Sequence, residues 1–209
     1  MDGTRASEFQ PSLEIKVARS FDDLQRVFAV RTLVYMSEQH CPYDEEFDGN
    51  DLSGAMHLMA LEDGEPVGCL RIRWFSDFAK IERVCVRSTS RAARVGVKMM
   101  DRAREIMARK GYRRYCGQIQ KQLIDYWQRQ GLVVREHRGQ FVFSDRVYVE
   151  VEGKLDVADS VVDMDSDPLV LDRPEGDWDL PGPLDQSIMR GYSPTQFDRK
   201  VKTGLVDRS

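Results

Sequence analysis

Apolar positions along the chain change period several times, and each change marks an element. Ser20 precedes Phe21-Asp22-Asp23-Leu24, an N-cap with an acid three residues on, and Leu24, Val27, Phe28, Val34 and Tyr35 follow at helical spacing. A helix is predicted from Phe21 to Gln39. His57–Leu61 and Val67–Trp74 flank the turn sequence Asp63-Gly64-Glu65-Pro66 and read as an antiparallel hairpin, with Ile81–Arg87 as a third strand. From Arg91 to Lys110, Val95, Met99, Met100, Ala103, Ile106 and Met107 restore the helical period, and Gly111 stands where a C-cap belongs. Tyr112–Ile119 reads as a strand and Gln122–Gln130 as a short helix stopped by Gly131. Leu132–Val134 with Phe141–Val151 reads as a hairpin across Arg138-Gly139. The predicted order is αβββαβαββ.

Beyond Val151 the pattern weakens into short apolar runs among aspartates and prolines, which favours extended structure over a compact second domain. Near the end, Ser193-Pro194 with Phe197, Val201 and Gly204 predicts one short helix. The reading divides the chain into a tail (1–13), one α/β (α+β) domain (14–151) and an acidic extension (152–209). Leu169, Leu171, Trp178, Leu180, Ile188, Met189 and Phe197 are too apolar to remain wholly in water. The extension is therefore expected to pack on its own domain or on a partner subunit, as in a homodimer.

Composition narrows the class. The chain has 209 residues, 41% hydrophobic and 32% charged, with no apolar run of membrane-spanning length. The first ten residues lack the basic-then-apolar order of a secretory signal, so a cytoplasmic location is expected and a membrane partner is not. Cys41, Cys69, Cys85 and Cys116 show no CxxC or CxxH spacing, and reduced, mostly buried thiols are expected rather than a zinc site. A net charge of −4 argues against nucleic acid as a partner. The charge is uneven: from Glu152 to Asp185 there are eleven acidic and two basic residues, so a basic body carries an acidic tail.

The chemistry concentrates in Lys80-Ile-Glu-Arg-Val-Cys-Val-Arg-Ser-Thr-Ser-Arg91-Ala-Ala-Arg94-Val-Gly96-Val97. A strand ends, a loop of small and basic residues follows, and a long helix starts, which aims free amides and a helix N-terminus at an anion. Here the chain resembles the GNAT family of N-acyltransferases, whose coenzyme A loop reads Gln/Arg-x-x-Gly-x-Gly/Ala. Arg91 matches its first position and Gly96 its last, while Arg94 stands at the first motif glycine. The likeness covers roughly residues 14 to 150. Arg31-Thr-Leu-Val-Tyr35-Met-Ser-Glu38-Gln39 is similar to the Val-Arg-x-x-Val-Phe-Val-x-Glu-Gln of a small bacterial subgroup. Tyr126-Trp127-Gln128-Arg129-Gln130-Gly131-Leu132 is similar to its Phe-Tyr-Glu-x-Leu-Gly-Phe, with Trp127 at the family's tyrosine and Tyr126 one residue earlier.

The resemblance implies a twisted mixed sheet flanked by helices and transfer of acetyl from acetyl-CoA to a primary amine of a small molecule or peptide, with no metal. It implies donor contacts from Arg91, Ala92, Ala93, Arg94, Val95, Gly96, Val97 and Trp127, and from the backbone of Val84, Cys85 and Val86. Glu82 would be a general base acting through water, and an ordinary cross-strand ion pair is the other reading of the same residue. Indole cannot serve as a proton-donating acid, so Tyr126, water or no acid at all would protonate the departing thiolate. Arg31, Tyr35, Gln118 and Gln120 would face substrate. His57 and Cys85 read more simply as structural groups, and Arg71 and Arg73 as solvated edge charges. The acidic stretch Pro42–Gly54 is read as either a lip for a cationic amine or a solvated loop.

Two other functions fit. Acyl-homoserine-lactone synthases also carry an arginine and an aromatic on the first helix (compare Arg31 and Tyr35), acids after it and Gly-x-x-Arg on a strand; Gly68–Arg71 fits loosely, as do Glu82 and Asp48 with Asp51. A degenerate GNAT-fold binding module would account for Arg94 and Trp127.

Overall fold

The structure, a computed structural model, describes residues 12–190; the helix expected at 193–204 lies outside the described residues. The elements are β1 (Leu13–Val17), α1 (Phe21–Arg31), α2 (Tyr43–Glu46), β2 (Met56–Glu62), β3 (Glu65–Trp74), β4 (Ala79–Val86), α3 (Val95–Arg109), β5 (Arg114–Gln120), α4 (Ile124–Gln128), β6 (Val133–Val134), β7 (Gln140–Phe143), β8 (Arg146–Lys154), α5 (Pro168–Leu171) and α6 (Pro183–Arg190). Eight strands make one sheet in the order β1-β2-β3-β4-β5-β8, and both β6 and β7 pair with β8. Every pairing is antiparallel except β4 with β5.

α1 begins as its sequence requires. Ser20 Oγ accepts from the Asp23 amide at 3.0 Å and the Asp23 carboxylate accepts from the Ser20 amide at 3.2 Å, a closed capping box. The helix runs on through a π-helical stretch, Thr32–Glu38, that carries Tyr35 and Glu38 to the sheet's centre. Val27, Val30 and Val34 pack on Met59, Leu61, Cys69 and Cys85, one face of the sheet. α3 buries Val95, Met99, Met100, Ala103, Ile106 and Met107, and by strand alternation it meets the opposite face. Gly68 permits this approach: a Cβ there would lie 3.0 Å from Met99 Cε and 3.2 Å from both Val95 Cγ1 and the Cys85 carbonyl oxygen.

The structure corrects four expectations. β1 is a strand because Leu13–Val17 pairs with Leu58–Glu62, a contact at long range that five residues do not announce. The segment Phe141–Val151 is two strands: Ser144 and Asp145 take φ of 45° and 57° and make a tight turn without a glycine. α3 starts at Val95 rather than Arg91, after a 3₁₀ turn over Ser88–Ala93. The extension contains helices where extended structure was expected, with Asp167 capping α5 and Pro183 in the first position of α6.

The chain forms two compact units, Met1–Val161 and Val162–Ser209. Within the second, the Arg173 guanidinium holds the Asp185 carboxylate at 3.0 and 3.2 Å and the Trp178 carbonyl at 2.7 Å. All four cysteines are free and buried. No helix among the described residues is long and apolar enough to cross a membrane.

Candidate active site

The site forms where two strands part. β4 and β5 pair in parallel only at Ala79↔Tyr115, Lys80↔Cys116 and Ile81↔Gly117. Beyond that, Gln118, Ile119 and Gln120 stay with β8, while β4 is turned by a bulge in which Arg83 and Val84 together oppose Leu70. Arg83 takes φ of 53°, a left-handed conformation. Its guanidinium is tied to the carbonyls of Glu45 (2.8 Å) and Glu46 (3.0 Å) and to the Glu46 carboxylate (3.1 Å), which holds the bulge in place. The Tyr35 hydroxyl then donates to the Val84 carbonyl at 2.9 Å. The sequence carried no sign of this bulge, since arginine is not a residue that announces positive φ.

A groove of about 540 Å³ runs from this cleft to the N-terminus of α3, lined by Val84, Cys85, Val86, Arg91, Arg94, Gly96, Tyr126 and Trp127. Arg94 is the N-cap of α3 with φ of 55°, and its carbonyl accepts from the amides of Val97 (3.1 Å) and Lys98 (3.2 Å). The amides of Val95 and Gly96, at the start of that helix, have no intrahelical acceptor. Arg94 thus takes the left-handed conformation that glycine adopts freely, at a strain of roughly 1 kcal/mol. Arg91 donates to the Val86 carbonyl at 3.0 Å and pairs with Glu38. Burial alone would raise the Glu38 carboxyl, but Arg91 and the Ser88 amide hold it below the usual carboxylate range. Ala92 and Ala93 belong to the 3₁₀ turn, and their side chains lie outside the described residues. A Cβ on Gly96 would stand 3.6 Å from the Tyr126 hydroxyl, so Tyr126 is at the α3 end of the groove, whereas Trp127 lines both groove and cleft.

On the α1 face the cleft opens into a second cavity of about 250 Å³, among whose lining residues are Tyr35, Glu45, Lys80, Glu82, Gln118, Phe141, Phe143, Arg146 and Tyr148. Glu82 sits on its floor. Its Oε2 accepts from Arg71 Nη2 at 2.6 Å and Nε at 3.0 Å, and Oε1 meets Lys80 Nζ at 2.7 Å. Burial by itself pushes Glu82 up, but the Lys80 ammonium and the Arg71 guanidinium outweigh it and hold the carboxyl below its usual range. The cross-strand ion pair is therefore real: Arg71 and Glu82 are register partners. Gln120 Nε2 donates to Gln39 Oε1 at 3.0 Å at the cleft's mouth.

Behind this floor lies a network that the sequence reading missed. Arg71 and Arg31 are 0% exposed. Arg71 also grips Asp48 (2.6 Å) and Asp51 (2.8 Å), and Arg31 grips Asp51 (2.6 Å) and Glu46 (2.5 Å). Arg71 is not a solvated edge charge, and the stretch Pro42–Gly54 is solvated only in part: Glu46 and Asp51 are buried against arginines and Asp48 reaches Arg71 from an exposed position, while most of the other residues face water. Arg31 lines none of these cavities; it supports the wall from behind. Burial opposes ionisation at Asp51, yet its bonds to Arg31 and Arg71 keep its carboxyl low, as Arg71 does for Asp48. Buried Glu46 goes the other way, raised despite Arg31 and Arg83. His57 is buried with Nε2 3.2 Å from the Asp51 carbonyl, and burial pushes it down. Cys85 faces Cys69 at 3.5 Å, its thiol raised by burial. Among the described residues there is no cluster of histidine, cysteine and carboxylates suited to a metal ion.

Comparison with known proteins decides the family. Residues 21–132 match the acetyltransferase (GNAT) family. The chain belongs to it. It is 31% identical over 116 residues to the uncharacterized N-acetyltransferase YjcF of Bacillus subtilis, covering 55% of this chain and 81% of that protein. The crystal structure of an acyl-CoA N-acyltransferase from Pseudomonas aeruginosa superposes with a TM-score of 0.61 at 28% identity, over 68% of this chain and 99% of that one. The PaiA N-acetyltransferase of Thermoplasma acidophilum, solved in complex with coenzyme A, shares the fold at 17% identity and a TM-score of 0.51, over 68% of this chain and 99% of that one. The GNAT fold expected from the sequence, a mixed sheet flanked by helices, is the fold present.

Proposed function

We propose that this GNAT member transfers acetyl from acetyl-CoA to a primary amine of a small molecule or peptide by direct attack in a ternary complex. One observation carries the reading: the parting of β4 and β5 joins a groove at a helix N-terminus to a second cavity floored by Glu82, so that donor and acceptor approach one point from two sides. The groove suits coenzyme A. It offers the Val95 and Gly96 amides and two guanidiniums, Arg91 and Arg94, to a diphosphate, and Gly96 leaves room for it.

The donor's thioester supplies an activated acyl carbon. The residues of the chain then have to position, not activate. Val84, Cys85 and Val86 present backbone to the donor's arm and carbonyl oxygen, and the bulge at Arg83 aims them. Glu82, held ionised by Lys80 and Arg71, attracts the acceptor ammonium and takes its proton through water, a step slowed by its low basicity. Tyr126 lines the groove at its α3 end and not the cleft, so protonation of the departing thiolate falls to water unless the donor brings its sulfur within reach of that hydroxyl. Gln118 and Tyr35 border the acceptor cavity, and Arg31 acts on it only through Glu46 and Asp51.

A second reading has its own support. Arg31, Asp48, Asp51, Arg71 and Glu82, the residues that resemble acyl-homoserine-lactone synthases, form one ion-pair network. Such an enzyme takes its acyl group from a carrier protein. A degenerate module loses one of its grounds, because Arg94 keeps the loop's backbone conformation.

Thermal denaturation with acetyl-CoA, free coenzyme A and buffer tests the proposal. Millimolar acetyl-CoA is expected to raise the midpoint by several degrees, about 3 kcal/mol at a hundredfold excess over Kd. Gly96→Trp, which fills the groove, should abolish the shift. No shift with either ligand would transfer the case to the carrier-protein reading.

A further inference from the structure

We propose that the pocket at the apex of the β4–β5 cleft seats the acyl chain of the donor, and that it has room for about four to six carbons beyond the acetyl group already assigned to the donor. The proposal rests on the donor reading above and refines it.

The pocket has a volume of about 130 Å³ and lies between the groove and the acceptor cavity. It shares Val84, Gln120 and Trp127 with the groove, and Glu82, Gln118 and Tyr148 with the acceptor cavity. It therefore opens at the place a carbonyl carbon must occupy to be reached from both sides. Its depth is apolar: Ile81, Met100, Ile119, Leu132 and Val151 line it together with Trp127. The polar groups around it are engaged with one another. Gln120 donates to Gln39, the Tyr115 hydroxyl accepts from Arg104 Nε at 3.0 Å, and the Tyr35 hydroxyl donates to the Val84 carbonyl.

Gly117 also lines the pocket. It forms the last parallel pair with Ile81, and a Cβ on it would press to 3.1 Å from the Ile81 carbonyl oxygen. An apolar void within a packed sheet lowers stability in proportion to its volume, so an occupant that fills it is bound favourably. A cavity of about 150 Å³ lined by aliphatic side chains takes up a six-carbon ring. The methyl of an acetyl group would leave most of this pocket empty.

The test needs no acceptor. The full chain is titrated calorimetrically with coenzyme A and with its acetyl, butyryl, hexanoyl and octanoyl thioesters. Kd is expected to fall about fourfold for each methylene seated, up to hexanoyl, and then to level or rise. Leu132→Phe, which fills the pocket, should lower the ratio of hexanoyl to acetyl affinity at least tenfold. Leu132→Ala should move the best chain to a longer one, a gain that a damaged fold cannot produce. Affinity that is flat with chain length, or falls from acetyl onward, overturns the acyl pocket and leaves the donor reading standing. Failure of every coenzyme A species to bind overturns both.

Discussion

The two faces of β3 are built on opposite principles. Toward α3, Gly68, Leu70 and Ile72 alternate along the strand, and the helix settles against them with Val95 and Met99 at close range. Toward α1, Cys69 gives way to Arg71, which is as deeply buried as Leu70 but grips three carboxylates. Apolar packing is non-directional and tolerates small shifts. A buried guanidinium with Asp48, Asp51 and Glu82 around it does not, because each lost partner leaves a charge without compensation. The fold thus places its adaptable face away from the cleft and its rigid face under the cavity that Glu82 lines. Tolerance and precision sit on opposite sides of one strand.

Removing a charge from the rigid face should do most damage. Arg71→Met nearly keeps the volume yet takes one cationic partner from each of Asp48, Asp51 and Glu82, and urea unfolding should show a loss of about 3 kcal/mol. A loss under about 1 kcal/mol would mean that the network is no more demanding than the apolar face.

Acid should weaken the α1 side next. Burial alone would raise Asp23, but Lys16 at 2.8 Å and the amides of Arg19 and Ser20 bring it to about 2. A carboxyl lowered on folding contributes stability above its unfolded value near 4 and loses it as the pH falls through about 2. The contribution is about 2 kcal/mol. Asp48, Asp51 and Glu82 act in the same direction, and Glu46, raised on folding, partly offsets them. Urea midpoints of wild type and Asp23→Asn, compared from pH 6 down to pH 2, should converge at the acid end. A constant gap would place the cap's value in something other than its charge.

The smallest effect belongs to the adaptable face. Gly68→Ala brings a methyl to 3.0 Å from Met99 Cε, the far end of a flexible side chain, and a loss of about 1 kcal/mol is expected. If thermal denaturation shows more than about 3 kcal/mol, the α3 face is as rigid as the other.

Much of the fold was legible because it is local. The Ser20–Asp23 box, the Asp63-Gly64 turn and the Met99–Met107 spacing are each complete within a few residues, and each formed where the pattern placed it. The loop before α3 was legible in the same way, as small and basic residues between a strand and a helix. The Ser144-Asp145 turn was not, since neither residue is the glycine that usually marks such a turn. Nor was the reversal of the acidic stretch Pro42–Gly54, whose partners Arg31, Arg71 and Arg83 are far away in the chain.

The sequence by itself determined the order of elements around the site and the loop that resembles a phosphate cradle, because helix period, caps and turns are properties of neighbours. Only the tertiary structure decided which charges are buried, that Arg83 bends β4 away from β5, and that an apolar pocket lies where they part. Those features depend on residues brought together across the sheet, and a one-dimensional pattern records no such distance.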